Sequence, residues 1–172
     1  LKSADPSVRN AQLTFDRCPA QILGNSDRRS LPALLDRAAV LLAFEQIGGA
    51  DRCLESTVDY VKERKTFGRA VGSYQAVKHK LARMYAQNEL ARSNAYYGAW
   101  ALASDSGELP IAASAARISA TECFEYSARE GLHLHGGMGY TWEVDCHLYL
   151  KRSRDLALRL GSLRCNRSRR PN

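Results

Sequence analysis

Long apolar runs are missing from these 172 residues. None approaches the roughly 18 residues that span a bilayer, and the chain does not open with a basic region followed by an apolar core, so no membrane insertion is expected. Cysteine is sparse and odd in number. Cys18, Cys53, Cys123, Cys146 and Cys165 share no close spacing, which argues against a zinc site and against a disulfide framework. Unpaired thiols in a reducing cytoplasm are the expectation. Acidic residues run out toward the end of the chain, and aromatic ones stop at Tyr149. Residues 151–172 hold eight basic side chains against one acid, Asp155, and so carry the whole net charge of +7. With no aromatic residue among those charges, stacking on bases is unsupported and nucleic acid is not an expected partner. The last residues, 164–172, read as a basic tail in solvent without fixed structure. There is no internal repeat.

What is present fits one domain with a core: 45% of the residues are hydrophobic and 25% charged. Near the start, Ala11, Leu13 and Phe15 alternate with polar residues, a strand pattern closed by Pro19 and Gly24. A lone strand leaves its backbone donors and acceptors without partners, and nothing later in the chain supplies one. Residues 1–26 therefore read as the terminal strand of a preceding β-domain.

From Ser30, an N-cap candidate ahead of Pro32, a helical pattern runs to about Lys62. Leu31, Leu34, Leu35, Ala38, Leu41, Leu42, Glu45, Gly48, Gly49 and Cys53 advance by threes and fours as one inward stripe. Two adjacent helical glycines cost roughly 1 kcal/mol each against alanine, which predicts that something packs closely on that turn. A second helix is expected over 75–104, with Val77, Leu81, Met84, Tyr85, Leu90, Tyr97 and Ala101 at helical spacing. A third, alanine-rich helix starts near Pro110 and ends near Leu134, and a fourth opens near Thr141 after a glycine-rich break. The predicted fold is all-α, a four-helix up-and-down bundle over 27–163 that follows the leftover strand.

Two motifs carry more than periodicity does. Glu63-Arg64-Lys65-Thr66-Phe67-Gly68 is followed by Ser73-Tyr74-Gln75, and His133-Leu134-His135-Gly136-Gly137-Met138-Gly139-Tyr140 runs on into Thr141-Trp142-Glu143 and His147-Leu148-Tyr149-Leu150-Lys151-Arg152. In this order, and amid these helices, they resemble the C-terminal helical domain of flavin-dependent acyl-CoA dehydrogenases, most closely an actinobacterial branch acting on bulky or steroid-linked CoA esters. The resemblance covers about residues 8–165. It implies FAD as cofactor, with Arg64 forking onto its diphosphate from a neighbouring subunit, Thr66 adding a hydroxyl, Phe67 anchoring the loop apolarly and Gln75 meeting the adenosine half. A guanidinium suits that task because it pairs two donors with phosphate oxygens and stays charged. Gly136 and Gly137 would let the backbone approach the diphosphate, with amides directed at the anion near a helix start.

The resemblance is imperfect where flavin and substrate meet. His133 stands where most relatives have glutamine; in Gly161-Ser162-Leu163-Arg164, Ser162 matches a flavin-contacting hydroxyl and Arg164 does not match. The family reaction removes the α-proton of an acyl-CoA with a carboxylate, and the two places that supply it fall on Ala38 and Leu160 here. Neither accepts a proton. Glu45, two turns beyond Ala38, is the remaining candidate on this chain, with an ion pair to an arginine as its alternative role. The implied function is a segment or subunit of an acyl-CoA dehydrogenase, inactive alone, in a homo- or hetero-oligomer with other such subunits and an electron-transfer flavoprotein-type acceptor. The alternative is a helical interaction module that has lost the chemistry.

Overall fold

A computed structural model of the chain describes residues 4–21 and 30–161. Four helices make up most of it: α1 (Ser30–Glu63), α2 (Gln75–Ala103), α3 (Leu109–Leu134) and α4 (Cys146–Leu158). Between α1 and α2 lie β1 (Lys65–Thr66) and β2 (Arg69–Ala70), an antiparallel hairpin in which Lys65 pairs with Ala70 and Thr66 with Arg69. A 3-10 turn, Val71–Ser73, leads into α2, and a second, Gly136–Tyr140, follows α3. No helix among the described residues is long and apolar enough to cross a membrane.

α3 packs against the three other helices, and its small residues permit this. Ala112, Ala113, Ala116, Ala120 and Ala128 are buried and let neighbouring backbones come close. The expectation for Gly49 also holds. A methyl group there would overlap the ring of Phe124 on α3, whereas Gly48 has nothing within 4 Å.

The inward stripe of α1 is rotated from the predicted one. Ala39, Val40, Ala43, Gln46, Ile47, Ala50, Cys53, Thr57 and Val61 are buried, while Leu31, Leu34 and Leu41 are exposed. Apolar residues occupy both faces of the first half of α1, so spacing alone did not distinguish them. Likewise Tyr85, Leu90 and Tyr97 of α2 point outward, and its buried positions are Met84, Asn88, Ala91, Ala95, Gly98 and Ala101. The last helix begins at Cys146 rather than near Thr141.

Two buried polar groups cross-link the bundle. The Asn88 carbonyl accepts from Cys123 (2.8 Å) and Ser127 (3.2 Å), and its amide donates to Asp51 (3.1 Å), which also pairs with Arg92 (2.8 Å). Arg117, with no exposed surface, donates to Gln46 (2.6 Å), to Thr121, and to the carbonyls of Leu156 and Arg159 (2.8 Å). It thereby ties α3 to α1 and to the end of α4, where the carbonyl dipoles favour a cation. Burial pushes this guanidinium below its ordinary value.

Residues 9–21 form neither helix nor strand, and Ala11, Leu13 and Phe15 are exposed. The strand pattern is thus unrealised in this chain, as its lack of a partner requires. Residues 22–26 and the basic tail 164–172 lie outside the described residues. Cys18, Cys53, Cys123 and Cys146 are free thiols as expected, and Cys165 is outside the described range. Burial pushes the Cys123 thiol up to about 12 and raises Cys53 further, so both stay protonated and unreactive.

Candidate functional site

The end of α1, the hairpin and the end of α3 enclose a cleft of about 470 Å³, lined by Tyr60, Arg64, Thr66, Val71, Leu134, His135, Gly136, Gly137 and Met138. Arg64, Thr66, Gly136 and Gly137, about 70 residues apart in sequence, are thereby brought together. Arg64 is the first residue past α1, and its backbone N–H still closes on the Tyr60 carbonyl (2.9 Å) while its own carbonyl accepts from Val71 (2.8 Å). The main chain at Arg64 is held on both sides. Its guanidinium is exposed and pairs with no carboxylate among the described residues.

The hairpin that carries Thr66 turns through Phe67 (φ 54°) and Gly68 (φ 79°). Two consecutive left-handed residues in a two-residue loop match the right-handed twist of the strands they join. Glycine takes this conformation freely, whereas phenylalanine pays roughly 1–2 kcal/mol for it. Phe67 does not anchor the loop: it stands at the tip, 93% exposed. Tyr74 takes that part instead, its hydroxyl donating to the Thr66 carbonyl (3.0 Å) and its ring lying under the Arg69 guanidinium (3.9 Å).

Across the cleft, Gly136 (φ 60°) ends α3 in the left-handed conformation typical of a helix C-terminus. Neither Gly136 nor Gly137 would have a Cβ neighbour within 4 Å, so both present bare backbone to open space. The expected helix start is absent, since these glycines open a short 3-10 turn and α4 begins at Cys146. A helix C-terminus carries negative partial charge. Positive charge for an anion in this cleft therefore comes from Arg64.

The remaining sequence-predicted residues that are described do not line the cleft. Gln75 is exposed at the start of α2. His133 is exposed on the α2 side of α3, its Nδ1 3.5 Å from Lys80 Nζ, which pairs with Glu130 (2.7 Å). Burial works against the Glu130 charge, yet Lys80, Arg129 and His133 outweigh it and hold the carboxyl below its ordinary value. Glu45 is ion-paired with Arg152 of α4, which also reaches Asp5 (3.4 Å), so the arginine-paired alternative is the one the structure displays. Leu160 packs against the apolar cluster of Ala39, Val40, Ala101, Leu109, Ala112 and Ala113, and Ala38 is half-buried on α1. Ser162 lies outside the described residues.

Tyr60 is a cleft residue outside the sequence motifs, and His135, which lies within one of them, is given no role there. Their rings stack at 4.3 Å, and the Tyr60 hydroxyl donates to the His135 carbonyl (3.2 Å). Tyr60 precedes Arg64 by four residues, and the Arg64 N–H still bonds the Tyr60 carbonyl across that turn; that spacing was the available signal.

Residues 30–167 match the family model described as acyl-CoA dehydrogenase, C-terminal domain. The chain is 45% identical over 170 residues to the acyl-CoA dehydrogenase IpdE2 of Mycobacterium tuberculosis, covering 95% of this chain and 48% of that protein. Among solved structures, a variant of the Tcur3481-Tcur3483 steroid ACAD aligns at 32% identity with a TM-score of 0.78, over 83% of this chain and 39% of that one. The ChsE4-ChsE5 complex from Mycobacterium tuberculosis aligns at 26% identity with a TM-score of 0.77, over 83% and 38%. The chain thus spans about half or less of the length of the relatives it matches. It belongs to the acyl-CoA dehydrogenase family, and what it contains is the C-terminal helical domain.

Proposed function

We propose that this chain is the C-terminal part or a subunit of an FAD-dependent acyl-CoA dehydrogenase that desaturates a CoA thioester between its α and β carbons. The carrying observation is the convergence of Arg64, Thr66, Gly136 and Gly137 on one cleft. Those residues fit a dinucleotide diphosphate: a guanidinium that pairs with no carboxylate among the described residues lines the same cleft as two glycines whose missing side chains leave room for phosphate oxygens. When bound, FAD supplies the hydride acceptor for the β carbon. Arg64 binds the diphosphate, Thr66 adds a hydroxyl, and Phe67 at the hairpin tip and Gln75 at the start of α2 meet the rest of the dinucleotide or the adjoining polypeptide that holds it.

The α-proton needs a carboxylate within hydrogen-bond reach. On this chain the two family positions are apolar and Glu45 is engaged by Arg152, so the base comes from a partner polypeptide in a hetero-oligomer. Exposed apolar side chains support such a partner. Leu34 and Leu41 are exposed on α1, and Phe44 meets Tyr96 of α2 edge-on at 5.6 Å with Trp100 54% exposed nearby along α2; exposed apolar area of this kind marks association faces. Likeness to a steroid ACAD favours a bulky, steroid-like acyl-CoA as substrate, with an electron-transfer flavoprotein-type acceptor.

Dye-linked oxidation of a steroid-type acyl-CoA tests this reading. Turnover is expected from the chain together with a homologous partner subunit and not from the chain alone. Full activity of the chain by itself would contradict the shared-site reading.

A further inference from the structure

Tyr60 and His135 do more than line the cleft. His135 is 5% exposed, and its Nδ1 lies 2.7 Å from the Gly131 carbonyl. A carbonyl only accepts, so Nδ1 carries the proton of this bond, which ties the ring to its own helix. The ring is stacked on Tyr60 at an interplanar angle of 24°. The Tyr60 hydroxyl grips the carbonyl of His135, and that carbonyl belongs to the same rigid peptide plane as the Gly136 N–H. One hydroxyl from α1 therefore sets the orientation of the peptide that begins the double-glycine wall. Tyr60 also accepts, through its carbonyl, the backbone N–H of Arg64 (2.9 Å). Both walls of the cleft are referenced to a single residue.

We propose that Tyr60 and His135 are positioning residues that fix the distance and orientation of the Gly136–Gly137 backbone relative to Arg64, and thereby tune the cleft for a diphosphate. This rests on the diphosphate reading of the cleft given above. A neutral hydrogen bond of this kind contributes about 1 kcal/mol, so losing the half-buried Tyr60 hydroxyl that orients the glycine backbone corresponds to about a five- to tenfold change in binding.

The test is calorimetric titration of the full chain with ADP. Tyr60→Phe keeps the stack and loses the hydroxyl; His135→Phe keeps the stack and loses the bond to Gly131. Gly49→Ala serves as control, destabilising α1 by its clash with Phe124 at a point about 16 Å along the helix from Tyr60. The expected result is ADP affinity lowered about five- to tenfold in Tyr60→Phe and His135→Phe and unchanged in Gly49→Ala. Wild-type affinity in Tyr60→Phe, or an equal loss in Gly49→Ala, would overturn the positioning role while leaving the cleft assignment intact. No ADP binding by the wild type, or binding indifferent to Arg64→Ala, would overturn the cleft assignment and this inference with it.

Discussion

Gly48 and Gly49 are neighbours in sequence with opposite surroundings. Gly49 exists because Phe124 occupies the space of its missing side chain, and Gly48 faces open space. Gly49→Ala should destabilise the chain by about 1–3 kcal/mol through overpacking. Gly48→Ala should stabilise it by up to about 1 kcal/mol, because alanine is the better helix former where nothing is in the way. Urea denaturation of the two variants checks the signs, and a shared sign would show that the close approach of α1 and α3 is misplaced. Phe67 is the reverse case, a residue kept in a conformation that costs it energy. Strain of this kind persists where something other than stability is served, in keeping with a side chain presented to another polypeptide.

At the level of elements, Arg152 joins three segments: Glu45 on α1, its own helix α4, and Asp5 before the bundle. Burial opposes the Asp5 charge, but hydrogen bonds from Ser7 and the nearby Arg152 hold it below its ordinary value. Glu130 on α3 is lowered similarly by Lys80 on α2. For a carboxyl lowered on folding, the stabilisation is complete above the unfolded values, 3.8 and 4.5, and is lost as pH falls through the lower folded values. Thermal melting should accordingly show stability falling below about pH 4.5, with a shallower acid limb in Asp5→Asn and Glu130→Gln. An unchanged limb in both would show that these carboxyls contribute nothing.

The helices themselves were legible because breakers and a 3.6-residue period are local signals, whereas Ser30, the cap candidate, is the first residue of α1 itself. The facing of α1 was less so, because Leu31, Leu34 and Leu41 are as apolar as the buried Val40 and Ile47, and burial depends on what else is present. In the site, the motif residues Arg64, Thr66, Gly136 and Gly137 were identified by resemblance and do converge. His133 and Gln75 do not join them within this chain. The Tyr60–His135 stack was hidden because its partners are 75 residues apart in sequence, and no local pattern reports such a meeting.

As a whole molecule, the domain in the proposed reading offers one half of a binding site. A guanidinium and two bare glycines line one cleft, an aromatic face stands uncovered on α1 and α2, and Ala38 and Leu160, the positions proposed for the base, are apolar. Each feature makes sense if an adjoining polypeptide brings the rest. The diphosphate is the most direct point of contact between that account and experiment, and titration of the chain with FAD, followed by the change in flavin fluorescence, isolates it. The account predicts saturable binding that weakens about 10- to 100-fold in Arg64→Ala, the range for loss of a charge-assisted hydrogen-bonded partner. Equal affinity in the wild type and Arg64→Ala would contradict it.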